Sequence, residues 1–343
     1  MSLIPSPLRT PALARGARYA LVMLLLAGLG LPGPALARSS CPHRVDAVRP
    51  VPVAAAGQVT VATQNLHRLF DAVDDGGGPV VAAADYRRQL QQLARQLDEV
   101  LRRPVVIAVQ EAEHEKALAD LAAELRRRTG VAWTPVLREG ADPGGIDVGF
   151  LVRSDWRVLA VEPLLVREKL GRLPLFDRPP LRLALRAPDG RELELVNVHL
   201  KSLLGSDGPK AARVARKRQR QAEALAGWVR QLLAARPGRR LLVLGDFNAT
   251  PDARGGVDVL GILAAVGLHN LQSRLPETER YTYLFRCTPE ALDHILVAPA
   301  LLPAVAGLAV SRGNAGAAAG RPIPADSPLG SSDHDGLVLY LRP

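Results

Sequence analysis

Polar residues gather where short apolar runs end. Asn65 closes the run from Val59, and Gln110-Glu111 closes the run from Val105. His199 follows Leu193-Glu194-Leu195-Val196-Asn197-Val198, and Gly245-Asp246-Phe247-Asn248 follows Leu241–Leu244. Asp293-His294 opens Ile295-Leu296-Val297, and Ser332-Asp333-His334-Asp335 precedes the last apolar run. One carboxylate at a strand end is ordinarily a cap or a turn former. Six ends that supply amides, carboxylates and imidazoles point instead to a shared site. Carboxylates and amides are hard oxygen ligands, suited to Mg²⁺, Mn²⁺ or Ca²⁺. An imidazole paired with a carboxylate gains basicity and a fixed tautomer. A hard cation beside such histidines suits attack of water on a phosphate ester, because charge building at phosphorus is neutralised while a base takes the water proton. Zinc is a poorer match: no H-E-x-x-H and no cysteine pair of metal-ligand spacing is present.

These ends must be held by strands. Apolar patterning predicts strands over 59–65, 105–110, 131–137, 146–152, 157–161, 181–187, 192–199, 240–245, 281–285, 292–297, 305–310 and 336–341. It predicts helices over 85–101, 113–128, 210–235 and 256–266; in the first, Tyr86, Leu90, Leu93, Leu97 and Val100 recur at helical spacing. Strands in hairpin-like succession, with helices in the longer connections, predict an α+β layered sandwich. The Gly-, Ala-, Pro- and Ser-rich tract 311–332 reads as a long mobile connection, and the loop 200–210 lies beside the candidate chemistry.

The chain has 343 residues, 48% hydrophobic and 23% charged, enough for a sizeable core and incompatible with wholesale disorder. Two cysteines exclude a disulfide-dense scaffold, and 4% aromatics argue against base-stacking platforms. The net charge of +10, almost all arginine, suits a polyanion or an anionic membrane face. Arg9, Arg15 and Arg18 precede an apolar run, Tyr19–Leu31, which is followed by Pro32, Pro34 and the Ala35-Leu36-Ala37 cleavage pattern. Residues 1–37 are therefore expected to be a signal peptide, whose loss takes the charge from +10 to +7. Residues 38–57 are expected to be a linker, residues 58–343 the catalytic domain, and the mature chain an exported, periplasmic or extracellular protein without a membrane span. Export permits a Cys41–Cys287 disulfide, which the sequence does not decide.

The pieces Thr63-Gln64-Asn65-Leu66, Val109-Gln110-Glu111, Asn197-Val198-His199, Gly245-Asp246-Phe247-Asn248, Leu292-Asp293-His294-Ile295 and Ser332-Asp333-His334 resemble, in this order, the endonuclease/exonuclease/phosphatase superfamily, the fold of pancreatic-type deoxyribonuclease. The resemblance implies a four-layered α/β/β/α sandwich of two mixed β-sheets, with the site where strand ends meet. It implies a metal held by Asn65, Glu111 and Asp333. Asp246 and Asn248 would position the attacking water and the scissile phosphate. His334 would contact the phosphate or act as base, Asp293 would orient it, and His199 would serve the phosphate or the leaving group. His294 is expected to be structural, and His67, His114 and His269 surface residues. Asp147 either lines the site or faces outward.

Lys201-Ser202, the basic stretch Arg213–Arg220 and Gln221-Ala222-Glu223-Ala224-Leu225 resemble a branch of secreted bacterial nucleases, as does Tyr281-Thr282-Tyr283. Lys201, Arg213, Lys217 and Arg220 are candidate substrate contacts; the last three share one helical stripe, which either grips a phosphate backbone or is a solvated face. The expected function is an exported divalent-metal phosphodiesterase, foremost a nuclease cutting DNA with little sequence preference. The alternatives are a sphingomyelinase-like or inositol-phosphatase-like hydrolase of a lipid or small phosphoester and, last, a non-catalytic binding module. The cofactor expected is Mg²⁺ or Mn²⁺, with Ca²⁺ open, the partner is nucleic acid, and no stable protein partner is implied.

Overall fold

The computed structural model describes residues 41–74, 78–317, 324 and 326–342. The expected signal peptide lies outside them, as does the centre of the 311–332 tract. The chain runs through β1 (Val59–Leu69), α1 (Ala83–Arg95), β2 (Val106–Ala112), α2 (Glu115–Thr129), β3 (Trp133–Leu137), β4 (Asp147–Arg153) and β5 (Arg157–Pro163). A small hairpin, β6 (Lys169–Leu170) and β7 (Leu173–Pro174), leads to β8 (Leu181–Arg186), β9 (Glu192–His199), α3 (Ala211–Ala235), β10 (Leu241–Asp246) and α4 (Val259–Ala264). Then come β11 (His269–Asn270), a second hairpin of β12 (Tyr283–Phe285) and β13 (Thr288–Glu290), β14 (Asp293–Val297), β15 (Val305–Val310) and β16 (Leu337–Leu341).

Two six-stranded sheets result, in the orders β15-β16-β1-β2-β4-β3 and β11-β14-β10-β9-β8-β5. Each is mixed: β1 with β2 and β10 with β9 are parallel, and the other pairs are antiparallel. Their central strands are apolar on both sides because both faces are covered. Val61, Val106, Phe150, Leu195, Leu244 and Ile295 fill the layer between the sheets. Ala62, Ile107 and Leu151 point the other way, against Leu93, Leu97, Leu121 and Leu125 of the first helical layer. Val196, Val243 and Leu296 likewise meet Leu225, Val229 and Leu263. The expected four-layered α+β sandwich is the fold. Among the described residues no helix is long and apolar enough to cross a membrane.

Polar groups also cross the sheet interface. The buried Asn197 amide on β9 donates to the carbonyls of Val109 (2.8 Å) and Gly149 (2.7 Å) and accepts from Gln110 Nε2 (2.7 Å). Gln110 Nε2 also lies 3.1 Å from Thr63 Oγ1. The bond set ties β1, β2 and β4 of one sheet to β9 of the other near the ends where the candidate site residues lie. Gly245 makes room beside it: a Cβ there would lie 2.2 Å from the Val198 carbonyl oxygen, and its φ of 134° favours glycine.

Two expectations are corrected. The segment expected to be a linker is seated on the domain over its described part. Val51 is buried, Arg49 bridges Arg312 and ion-pairs with Glu279, and Pro52 accepts from Tyr340 Oη (2.6 Å). These are isolated bridges and one apolar anchor, which leave no period to read. The Cys41–Cys287 disulfide is formed, with Cα atoms 5.5 Å apart. At the other end, the expected mobile connection is buried and tied over 311–315, where Asp335 accepts from the Asn314 and Ala315 amides and pairs with Arg312. Boundaries shift too: β1 continues to Leu69, and the first helix ends in a π-turn over Gln96–Val100.

Asn197→Ala should lower unfolding free energy by about 3 kcal/mol in urea titration, since it takes the side-chain donors from two buried carbonyls and one of two acceptors from the Gln110 amide. The Cys41→Ser/Cys287→Ser chain should melt below the oxidised protein, by up to about 5 kcal/mol for so long a loop. Reductant should bring the wild type to the same melting point.

Candidate active site

The register of the second sheet assembles half of the site. β10 pairs Asp246 with His199 on one side and with Asp293 on the other, and Gly245 with His294. The first sheet pairs Asn65 with Gln110 and bulges between Gln110 and Ala112. Glu111 sits in that bulge with φ 64°, a conformation side chains other than glycine adopt at a cost, and the bulge sets its carboxylate apart from the ladder.

The two halves meet through Asn65. Its Nδ2 donates to Glu111 Oε1 (3.2 Å) and to Asp246 Oδ2 (3.3 Å), while its Oδ1 accepts the His67 amide (2.9 Å). Asp246 Oδ1 accepts the Asn248 amide (2.8 Å), and the Asn248 side chain donates to the Leu200 carbonyl (3.2 Å). His199 Nε2 lies 3.4 Å from Asp246 and 3.9 Å from Glu111. His334 Nδ1 is 2.7 Å from Asp293 Oδ2, a charge-assisted bond between buried groups. Thr282 Oγ1 accepts from the Leu292 and Asp293 amides, fixing the start of β14.

Electrostatics differentiates these groups. Burial pushes the Asp246 carboxyl up to about 7, and the Asp293 charge adds to it. Burial works against the His334 imidazolium, but the charge and hydrogen bond of Asp293, then Asp246 and Asp333, outweigh it and hold the ring well above its ordinary value. His199 goes the other way: burial, then the positive Arg178, His334 and Lys201, keep it well below the ordinary range and neutral near pH 7. The two imidazoles therefore start in opposite protonation states, an arrangement that pairs a cation with a neutral ring.

The structure thus brings together Asn65, Glu111, His199, Asp246, Asn248, Asp293 and His334. Asp333 is less engaged: its carboxylate is 42% exposed and 3.9 Å from His67 Nε2. It is tied to Asn65 through its neighbour Ser332, whose hydroxyl donates to the Asn65 carbonyl (2.7 Å). The carboxylates of Glu111 and Asp333 both reach solvent and are hard oxygen donors, the type a hydrated divalent cation takes. As placed, the Asn65 oxygen is taken by His67, so Asn65 directs its amide hydrogens to the carboxylates.

His294 is structural as expected. Its Nε2 meets the Ala249 carbonyl (2.7 Å), its Nδ1 meets Asn270 (3.1 Å), and burial lowers it to about 4. His269 and His67 are exposed. His114 is not merely a surface residue: its Nδ1 caps α2 by accepting the Ala117 amide (3.0 Å). Its Nε2 lies 3.6 Å from Asp71 and 3.7 Å from Glu113. Asp71, Glu113 and the capping ring thus form a second cluster of groups able to ligate a metal among the described residues. Asp147 is buried and accepts the Gly140 amide (2.8 Å), bracing a loop.

Of the candidate substrate contacts, Lys201, Arg213 and Lys217 line one cleft, whereas Arg220 pairs with Glu223. Residues beyond those singled out also shape the site. The Tyr283 ring packs on His334 at 4.9 Å, and Arg178 Nε reaches the His199 carbonyl (3.4 Å) while pairing with Asp142 (2.6 Å). Tyr283 carried a signal in Tyr281-Thr282-Tyr283; Arg178 carried none.

A family model described as the Endonuclease/Exonuclease/phosphatase family matches residues 62–334, and the chain belongs to that family. It is accordingly a metal-dependent phosphoric ester hydrolase. Solved structures share the fold at low identity. An endonuclease/exonuclease/phosphatase family protein from Bacteroides thetaiotaomicron superposes with a TM-score of 0.57 at 17% identity, covering 83% of this chain and 94% of that one. Truncated TDP2 from Caenorhabditis elegans gives 0.56 at 16%, covering 83% and 98%. The 3′ phosphatase NExo from Neisseria, bound to a product DNA hairpin, gives 0.54 at 19%, covering 83% and 100%. No curated protein matches the chain in sequence.

Asp293→Asn should remove the charge that holds the His334 proton, so the ring should titrate at lower pH. NMR of the metal-free protein should show the His334 resonance moving toward or below the range of free imidazole. His334→Ala, Asp293→Ala and the double variant should lose activity to similar extents, because residues acting as a unit are non-additive. Losses that multiply would separate the two.

Proposed function

We propose that this chain is an exported, divalent-metal-dependent nuclease that hydrolyses DNA with little sequence preference. The observation that carries the reading is the buried cluster in which Asp246 touches Asn65, Asn248 and His199 while Asp293 holds His334. Asp246, pushed up to about 7, is basic enough to take a proton from water and buried enough to orient it. Asn248 stays beside it as an amide donor toward a phosphate oxygen. His334, kept cationic by Asp293, stabilises negative charge on the pentacovalent phosphorus as the P–O ester bond breaks. His199, neutral, would offer a hydrogen bond to the departing oxygen, which then takes its proton from solvent. Glu111 and Asp333, with the Asn65 amide beside them, would hold Mg²⁺ or Mn²⁺, which when bound neutralises phosphate charge.

DNA as substrate is supported by the basic balance, +7 once Arg9, Arg15 and Arg18 leave with residues 1–37, and by the Neisseria relative of the same fold with its DNA hairpin. Export, with cleavage after Ala37, is supported by the signal-like N-terminus and by the Cys41–Cys287 disulfide, a bond at home in an oxidising compartment. Both features, with Lys201-Ser202 and the basic helix, fit the secreted bacterial branch.

The purified chain should cut plasmid DNA in Mg²⁺ or Mn²⁺, with weaker action on bis-p-nitrophenyl phosphate and none on sphingomyelin emulsion. Excess EDTA should abolish cleavage, and Glu111→Gln should reduce turnover by on the order of 10²-fold or more. Full activity in chelator, or preference for sphingomyelin, would overturn the reading.

A further inference from the structure

Beside the catalytic cluster lies a cleft of about 790 Å³ between the β6–β7 hairpin and the start of α3. It is continuous with the chemistry along the backbone, for Lys201 on its wall is two residues after His199. α3 clamps Lys201 from both sides: Gln221 Oε1 accepts its amide (2.9 Å), and Arg218 Nη1 donates to its carbonyl (2.6 Å). The Lys201 ammonium meets the Ser202 hydroxyl (3.1 Å), and burial, with the positive Arg178 and Lys217 close by, lowers its pKa. Lys210 and Arg213 are exposed on the same wall and make no ion pair among the described residues. Lys217 pairs with Asp177 (2.6 Å). The cleft therefore concentrates positive charge that its own carboxylates do not balance.

Its remaining walls are apolar. Leu173 on the hairpin and Leu204 on the 200–210 loop are 58% and 83% exposed, and both face this cleft. Isolated exposed leucines need no explanation, but two that flank one cation-lined concavity do. A free phosphate has no use for them. An anionic bilayer would meet a convex face, whereas here the lysines lie inside a concavity. A chain that alternates phosphates with flat apolar bases matches both kinds of wall.

We propose that the nucleic-acid strand flanking the scissile phosphate runs through this cleft, its phosphates on Lys201, Lys210 and Arg213 and its bases against Leu173 and Leu204. The assignment rests on the nuclease reading and gives that site its strand-binding track. Arg220, turned to Glu223, is not part of the track.

The test is equilibrium binding in EDTA, followed by fluorescence anisotropy, with a labelled oligothymidylate of about a dozen nucleotides and its abasic counterpart. Lys210→Ala/Arg213→Ala alters two exposed side chains. It should weaken both probes and reduce the magnitude of the salt slope by about 1.4, the value for two single-strand phosphate contacts. Leu173→Ser/Leu204→Ser should weaken the base-bearing probe by about tenfold and the abasic probe far less. In Mg²⁺ each variant should lose preference for DNA over bis-p-nitrophenyl phosphate. Variants that bind both probes as the wild type does, while the wild type cuts DNA, would overturn the cleft assignment and leave the nuclease reading standing. Loss of binding to anionic vesicles without loss of oligonucleotide binding would assign the cleft to a membrane and overturn the proposal. A wild type that turns over the small diester but cuts no nucleic acid would overturn both.

Discussion

The site depends on one polar bond set inside an otherwise apolar interface. Asn197 reaches from β9 to the carbonyls of Val109 and Gly149 and receives Gln110. Apolar packing between the sheets is non-directional and would tolerate sliding or rotation. Buried amides are less forgiving, because each unmatched group costs about 1–3 kcal/mol. The bonds therefore fix how the two sheets lie at the strand ends, and that fixes the distance from Asn65 and Glu111 on one sheet to Asp246 and His199 on the other. The close approach is possible because Gly245 has no side chain to strike Val198.

Once the ends are locked, the cost of burial becomes a chemical resource. Asp246 and Asp293 are both almost fully buried, a pairing that favours protonation of a carboxyl. His334 relieves part of that repulsion by holding a proton against Asp293, while His199, desolvated by burial and with Arg178, His334 and Lys201 near, stays neutral. One neighbourhood thus supplies a basic carboxylate, a cationic imidazole and a neutral one at the same pH. The division of labour arises from burial and neighbours, since Asp246 and Asp293 are chemically the same residue, as are His199 and His334.

The long helix α3 serves packing and charge together. Ala222, Leu225 and Val229 seat it on the second sheet. Gln221 and Arg218, turned inward, grip the backbone of Lys201, and Gln221 also donates to the Leu175 carbonyl. Arg213 and Lys217 face the cleft beside the catalytic ends. The same helix that stabilises the outer layer thereby couples the basic surface to His199, two residues from the lysine it clamps.

The sequence alone determined the elements and the chemical inventory. Apolar periodicity located the central strands, and the amides, carboxylates and imidazoles at their ends named the site, because strand ends are where polar groups can stand at the edge of an apolar layer. Which of these residues meet, and in which protonation state, was decided by the tertiary structure. Asn197 and Gln110 stand in pieces read for the site, and only the facing of two sheets makes them a clamp. Arg218 and Arg220 look alike in a basic run, yet one is buried beneath Lys201 and the other pairs with Glu223. His114 has no motif, and it became a helix cap through local geometry at Ala117. The stretch after Cys41 shows no period because isolated backbone bridges, one buried Val51 and a disulfide hold it, and none of these repeats along the chain. Pattern records contacts that recur with the turn of a helix or the pleat of a strand. Contacts made once, between residues far apart in sequence, exist only after the chain has folded.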